Sequence, residues 1–223
     1  MSAMRIFLIV FVIVSVVHIA AIILKKEQLR RISKCLVVPS LLGVYIAGAE
    51  TLLFFTVPAL ILGWIGDVLL IKIEKKINFV LGLAAFLLGH LCYVITFLQI
   101  LGFSGSGSGI NISAIAIFAP QAFILAVVVF RLIKPTKEMF VPVIFYMIVL
   151  VTMSLFGFQV FLLNPGLAGL LILSGSFNFM ASDTILAYYT FRKLKLSGAV
   201  LIMVFYILAQ AEIVLGLVSI KPF

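Results

Sequence analysis

Apolar and polar positions follow one another in long blocks along this chain. Runs of roughly 15–25 apolar residues are cut by short charged or Gly/Pro/Ser tracts. An α-helix needs about 20 such residues to cross a hydrocarbon layer about 30 Å thick. The breaks predict eight helices, at roughly 4–24, 35–49, 51–71, 78–102, 110–132, 139–162, 166–191 and 197–219. The second is the shortest, and Gly48, Glu50 and Thr51 form a tight turn between it and the third. The tract from Ser104 to Gly109 reads as a flexible loop, and Asn164-Pro165-Gly166 as a turn. No polar domain interrupts the series. The expected fold class is all-α, a polytopic membrane bundle of eight transmembrane helices forming one integral domain over 1–223.

Composition agrees. Hydrophobic residues make up 65% of the 223 and charged residues 10%, against about 25% charged in soluble domains. A water-soluble fold and a disordered chain are both excluded. A net charge of +9 raises the question of nucleic acid, but the positions of the charges answer it. Lys25, Lys26, Arg30, Arg31 and Lys34 share the first loop, and Lys72, Lys75 and Lys76 the third. Arg131, Lys134 and Lys137 share the fifth, and Arg192, Lys193 and Lys195 the seventh. Alternate loops thus hold 14 of the 16 Lys/Arg residues, leaving only Arg5 and Lys221 on the other side. By the positive-inside rule the odd loops are cytoplasmic and both termini outside. The partner is a bilayer, the cell membrane in a bacterium or the endoplasmic reticulum in a eukaryote, and not nucleic acid. The first segment runs straight into a basic cluster without a small-x-small cleavage site, so it reads as a retained span and not a signal peptide. Cys35 and Cys92 form no disulfide framework, and with His18 and His90 the only histidines, no metal-ligand set emerges. No cofactor is implied.

Three of the seven acids fall inside predicted spans: Asp67, Asp183 and Glu212. An ionised carboxylate there costs about 2.5–3.5 kcal/mol on insertion scales, so such residues face a bundle interior and are functional candidates by default. Asp67 lies five residues before Lys72 and Asp183 nine before Arg192, hence about 7–13 Å inside the same leaflet on helices running the same way. Glu212 belongs to the other leaflet. Gly66-Asp67-Val68-Leu69-Leu70 and Ser182-Asp183-Thr184-Ile185-Leu186 parallel each other at an offset of 116 residues, which also superposes His90 on Tyr206. This suggests two parallel four-helix halves, 1–103 and 110–223, meeting at a polar interface. Ser174, Asn178 and Ser182 form a polar stripe at i, i+4 spacing beside Asp183; His90 with Tyr93, and Tyr206 with Gln210, share helix faces. For single serines, glycines and tyrosines helix packing is the stronger explanation, and His18, without acidic neighbours, reads as structural. Two matched buried acids are not explained that way. Paired intramembrane acids in repeated halves suit either a hydrolase or a small proton- or cation-coupled secondary transporter.

Gly66-Asp67, then Phe86-x-x-Gly89-His90-x-x-Tyr93, Ser182-Asp183-x-x-Leu186-Ala187 and Tyr206-x-x-Ala209-Gln210 together resemble the lysoplasmalogenase family (YhhN-like membrane hydrolases), and Tyr146 and Met153 fit as well. The resemblance covers nearly the whole chain and departs at Lys34-Cys35, where many members carry Lys-Pro. It implies hydrolysis of the vinyl-ether bond of a lysoplasmalogen, a lysophospholipid, to a fatty aldehyde and glycerophosphoethanolamine or glycerophosphocholine. Vinyl ethers hydrolyse when an acid protonates the β-carbon and water adds to the resulting oxocarbenium ion. Such chemistry asks for one carboxylic acid that keeps its proton near neutral pH and one ionised carboxylate, as in glycosidases. On this resemblance Asp67 and Asp183 are catalytic, with the deeper Asp183 as proton donor. His90, Tyr93, Asn178, Ser182, Tyr206 and Gln210 position substrate, carboxylates and water, and Lys34, Lys72 and Arg192 attract the phosphate.

Overall fold

The computed structural model describes residues 2–72, 75–103, 112–192 and 196–220. Among them are eight α-helices and no strands, as expected where lipid leaves backbone polar groups no partner but one another. They are α1 (Ala3–Ile23), α2 (Glu27–Gly48), α3 (Thr56–Leu69), α4 (Lys76–Phe103), α5 (Ile112–Val127), α6 (Lys137–Leu163), α7 (Leu167–Arg192) and α8 (Leu196–Ser219). A 3-10 turn, Leu70–Lys72, extends α3, and a π-helical turn, Val128–Ile133, extends α5. The expected loop from Ser104 to Gly109 and the basic residues Lys193 and Lys195 lie outside the described residues.

Six of the helices, α1, α2, α4, α6, α7 and α8, are long and apolar enough to cross a membrane. The other two are shorter than the eight-span expectation requires: α3 has 14 residues and α5 has 16. The second and third helices also exchange lengths relative to the hydrophobicity pattern. α2 begins at Glu27, eight residues before the apolar run, because its charged first turns support themselves as helix. Glu27 sits in the first turn, where the helix dipole favours an acid, and pairs with Arg30 at 2.6 Å and Arg31 at 2.8 Å. α3 begins only at Thr56, because the α2–α3 link stays non-helical, with the Leu53 amide donating to the Tyr45 hydroxyl at 2.8 Å.

Six helices close a ring in the order α2, α3, α4, α6, α7, α8 and back to α2. α1 packs outside it on α2 and α8, and α5 outside it on α6. Close helix approach depends on glycine, as is usual where lipid supplies no hydrophobic drive between helices. A Cβ on Gly89 of α4 would stand 3.2 Å from the Ala59 carbonyl oxygen of α3, and one on Gly175 of α7 2.9 Å from the Ala209 carbonyl oxygen of α8. Tyr45, Tyr93, Phe97 and Phe179 are the largest fully buried side chains within the ring.

The α2–α3 seam uses a different device. Pro39 lies inside α2 and has no N–H, so the carbonyl of Cys35 loses its helical donor. The Trp64 indole N–H of α3 donates to that carbonyl at 3.0 Å, and each side chain thereby resolves a polar group the other helix leaves open. At one end of the ring the basic loops meet: Lys76 Nζ lies 2.6 Å from Glu138 Oε2, and Arg192 Nε donates to the Leu132 carbonyl at 2.8 Å. At the other end Gly48 abuts Met4 and Val218, so both chain ends approach the face opposite these loops.

Gly175→Val should therefore force α7 from α8, costing about 1–3 kcal/mol as overpacking and lowering the melting temperature in detergent. Gly102→Ala, whose Cβ would meet nothing within 4 Å, should leave it unchanged or slightly raised. Equal effects of the two changes would refute the seam's dependence on close backbone approach.

Candidate active site

Asp67 stands in the last turn of α3, 2% exposed, where three helices converge on it. From α2, Lys34 Nζ reaches its Oδ1 at 3.4 Å; from α8, the Tyr206 hydroxyl donates to Oδ2 at 2.7 Å. Lys34 is itself buried, so the cation and the carboxylate leave water together and neither is stable there without the other. Gly63, one turn before Asp67, makes the arrangement possible, since a Cβ there would come within 3.1 Å of the Gln210 amide. Behind Tyr206 a buried relay extends toward the core. The Gln210 amide donates to the Tyr206 hydroxyl at 3.3 Å, and the Tyr93 hydroxyl donates to Gln210 Oε1 at 2.8 Å.

Asp183 lies deeper in its helix, nine residues before the end of α7 at Arg192, and has no lysine or arginine beside it among the described residues. The Tyr146 hydroxyl of α6 donates to its Oδ2 at 2.6 Å. His90 of α4 points Nε2 at the same oxygen from 3.7 Å, beyond hydrogen-bond reach, and Nε2 has no hydrogen-bond partner among the described residues. The imidazole is clamped edge-on between the rings of Tyr146 and Phe179, with centroids 5.6 and 4.8 Å away. The side chains that neighbouring helices bring to the two aspartates differ: one faces a lysine and a phenol, the other a phenol and an imidazole.

Both carboxylates line one cavity of about 380 Å³, together with Lys34, Phe86, Ser182 and Tyr206, and it extends past His18 to Lys25, Glu27 and Arg30 near the basic end. Asp183 also lines a second cavity of about 200 Å³ between α4, α6, α7 and the π-helical turn, walled by apolar residues such as Leu83, Leu87, Val129 and Leu150. A polar chamber and an apolar slot therefore share one carboxyl group.

Of the residues expected at the site, Asp67, Asp183, His90, Tyr93, Tyr206, Gln210 and Lys34 come together. Ser182 lines the polar chamber, but its hydroxyl donates to the Ile202 carbonyl at 3.1 Å and serves the α7–α8 contact. Three expectations need correction. Asn178 is turned to Glu212, whose Oε2 its amide meets at 2.8 Å, and is not among the residues around the aspartates. Arg192 is committed to the Leu132 carbonyl, and Lys72 ends the 3-10 turn; neither lines the chamber. Conversely, Tyr146 has a direct role at Asp183 that its sequence position alone does not announce. His18, expected to be structural, lines the chamber while bonding Ser33 Oγ at 2.9 Å. A histidine inside an apolar span is itself a signal of a polar cavity, and it applied to His18 as much as to His90. Among the described residues no group of three or more His, Cys, Asp or Glu side chains is placed to hold a metal ion.

A family model described as the YhhN family matches residues 29–217. No curated protein and no solved structure matches the chain. The matched span contains both aspartates and, with them, Lys34, His90, Tyr146 and Tyr206.

Lys34→Met leaves Asp67 buried beside Tyr206 alone, and should destabilise the protein by about 3–5 kcal/mol. Adding Asp67→Asn to it should recover much of that loss. Strictly additive effects in thermal melts of the two single variants and the double would show that the pair is not coupled.

Proposed function

The chain belongs to the YhhN family, and from that premise we propose that it is a membrane lysoplasmalogenase, cleaving the vinyl-ether bond of a lysophospholipid by carboxylate acid/base catalysis. The observation that carries this reading is the place of Asp183, where the chamber rimmed by charged residues meets the apolar slot. A single-chain lipid laid across that junction puts its polar part in one cavity and its alkenyl chain in the other. The bond joining the two parts then lies at the carboxyl group.

The environments divide the work. Asp67, ion-paired with Lys34, is the ionised carboxylate, and Asp183, which meets the Tyr146 hydroxyl and the buried His90 imidazole where Asp67 meets a lysine, is the carboxyl that carries the proton. Asp183 delivers its proton to the β-carbon of the vinyl ether, leaving positive charge shared between the α-carbon and the ether oxygen. The Asp67 carboxylate stabilises that cation and takes a proton from the water that adds to it. The hemiacetal so formed collapses to an aldehyde and the glycerol hydroxyl. Tyr146 holds Asp183 in line, with the His90 imidazole packed beside it, and the Tyr93–Gln210–Tyr206 relay does the same for Asp67. The same reading includes two parallel halves, 1–103 and 110–223, and a chamber that faces the cytoplasm. It is supported by each aspartate taking one partner from its own half and one from the other.

Purified protein in detergent, given lysoplasmalogen, should release fatty aldehyde detectable by mass spectrometry. Asp67→Asn and Asp183→Asn should each reduce this by about 100-fold or more, the scale of a lost acid or base, without a large loss of folded protein. Tyr146→Phe should reduce it by about three- to tenfold, the scale of one hydrogen bond between uncharged groups. Unchanged turnover in both aspartate variants would refute the carboxylate mechanism. Movement of substrate across sealed vesicles without hydrolysis would favour a coupled transporter instead.

A further inference from the structure

Of the loops at the basic end, the α1–α2 connection sends several charges into the polar chamber: Lys25, Glu27, Arg30 and Lys34 line it, with His18 across from them on α1. Lys76 and Arg192 are occupied elsewhere, on Glu138 and on the Leu132 carbonyl. The α1–α2 charges also form a ladder. Arg30 stands one helical turn before Lys34 on the same face of α2, about 6 Å nearer the mouth, and Lys25 lies beyond it. Arg30 is held in position by Glu27, which its Nε and Nη2 meet at 2.8 and 2.6 Å.

The backbone at Lys25 supplies a second, independent observation. α1 ends in a Schellman motif: the Lys26 amide donates to the Ala21 carbonyl at 2.9 Å and the Lys25 amide to the Ile22 carbonyl at 3.1 Å. Lys25 occupies the left-handed position of that motif, at φ 55°, where glycine is the favoured residue and a side chain costs stability. Lysine stands there at a conformational cost, over the mouth of a chamber with catalytic carboxylates at its floor. Strain retained at such a place points to function.

We propose that the α1–α2 hairpin is a phosphate-binding subsite, in which Lys25 and Arg30 hold the phosphodiester of a lysophospholipid while its chain-bearing carbon lies at Asp67 and Asp183. The two ends share one chamber: Arg30 stands one turn from Lys34, which reaches Asp67 at 3.4 Å, and all three line it with Asp183. This assignment rests on the hydrolase reading for its substrate, and moves the anion site away from Lys72 and Arg192.

The test uses binding, so that it stands apart from turnover. Detergent-solubilised protein is titrated with an alkyl-ether lysophosphatidylethanolamine, which lacks the cleavable double bond, and with the alkylglycerol of the same chain, which lacks the phosphate. Wild type should bind the phospholipid about tenfold more tightly, as charge-assisted hydrogen bonds to phosphate provide. Lys25→Gly and Arg30→Gln should each shrink that preference to about threefold or less. Lys25→Gly should do so with an unchanged or raised melting temperature, because it installs the residue the motif favours. That separates loss of a ligand contact from loss of fold, even if Arg30→Gln, released from Glu27, folds poorly. A wild-type protein that does not prefer the phospholipid, or a preference that survives Lys25→Gly, would overturn the subsite. A preference that disappears as expected in a protein releasing no aldehyde would keep the subsite and refute the hydrolase reading alone.

Discussion

The ion pair of Lys34 and Asp67 is the constraint to which the rest of the bundle answers. Two opposite charges withdrawn from water are tolerable only at short range and with their remaining hydrogen-bonding capacity met. Meeting it recruits Tyr206 from α8, then Gln210 beside it, then Tyr93 from α4. Helices α2, α3, α4 and α8 are thereby fixed around one carboxylate. Gly63 and Gly66 belong to the same solution, since a Cβ at Gly63 would crowd the Gln210 amide at 3.1 Å and one at Gly66 would overlap the Phe86 ring. What the apolar residues leave loosely specified, as any bundle of Leu, Ile and Val does in lipid, this polar set makes definite.

Much of this is legible in the sequence because lipid makes polar residues conspicuous. Seven acids in 223 residues, three of them inside apolar runs, single out Asp67 and Asp183 without any knowledge of the fold. Helical periodicity then finds the shared face of Tyr206 and Gln210. Three things were hidden, each for a physical reason. The helical start of α2 reads as loop on a hydrophobicity scale because its stability comes from Glu27 and its two arginines. The partnership of Tyr146 with Asp183 depends on α6 lying next to both α4 and α7, a matter of tertiary order that no local pattern encodes. The stripe of Ser174, Asn178 and Ser182 has the right spacing for one face, yet Asn178 finds Glu212 and Ser182 finds a backbone carbonyl. A polar stripe states that partners exist, not which ones.

Under the proposed reading of two parallel halves, the two aspartates are one position used twice. Each is approached by the helix that precedes its own, Lys34 from α2 and Tyr146 from α6, and by the fourth helix of the opposite half, Tyr206 from α8 and His90 from α4. Even the first hairpin of each half turns on a left-handed lysine, Lys25 in one and Lys134 in the other. Exchange of a lysine for a tyrosine, and of a tyrosine for a histidine, is all that distinguishes the polar company of the two carboxyl groups.

The two cavities that share Asp183 present different walls, one with charged side chains and the other almost wholly apolar. Under the proposed reaction, cutting a lipid at their junction turns one amphiphile into two fragments with opposite solubilities. The aldehyde stays with the bilayer and the glycerophospho-alcohol passes to water. Their recombination would require both to return to the same small volume from separate phases. The partition of the products follows from their own solubilities, and a chamber wall suited to each fragment lets both leave and clears the site for the next lipid.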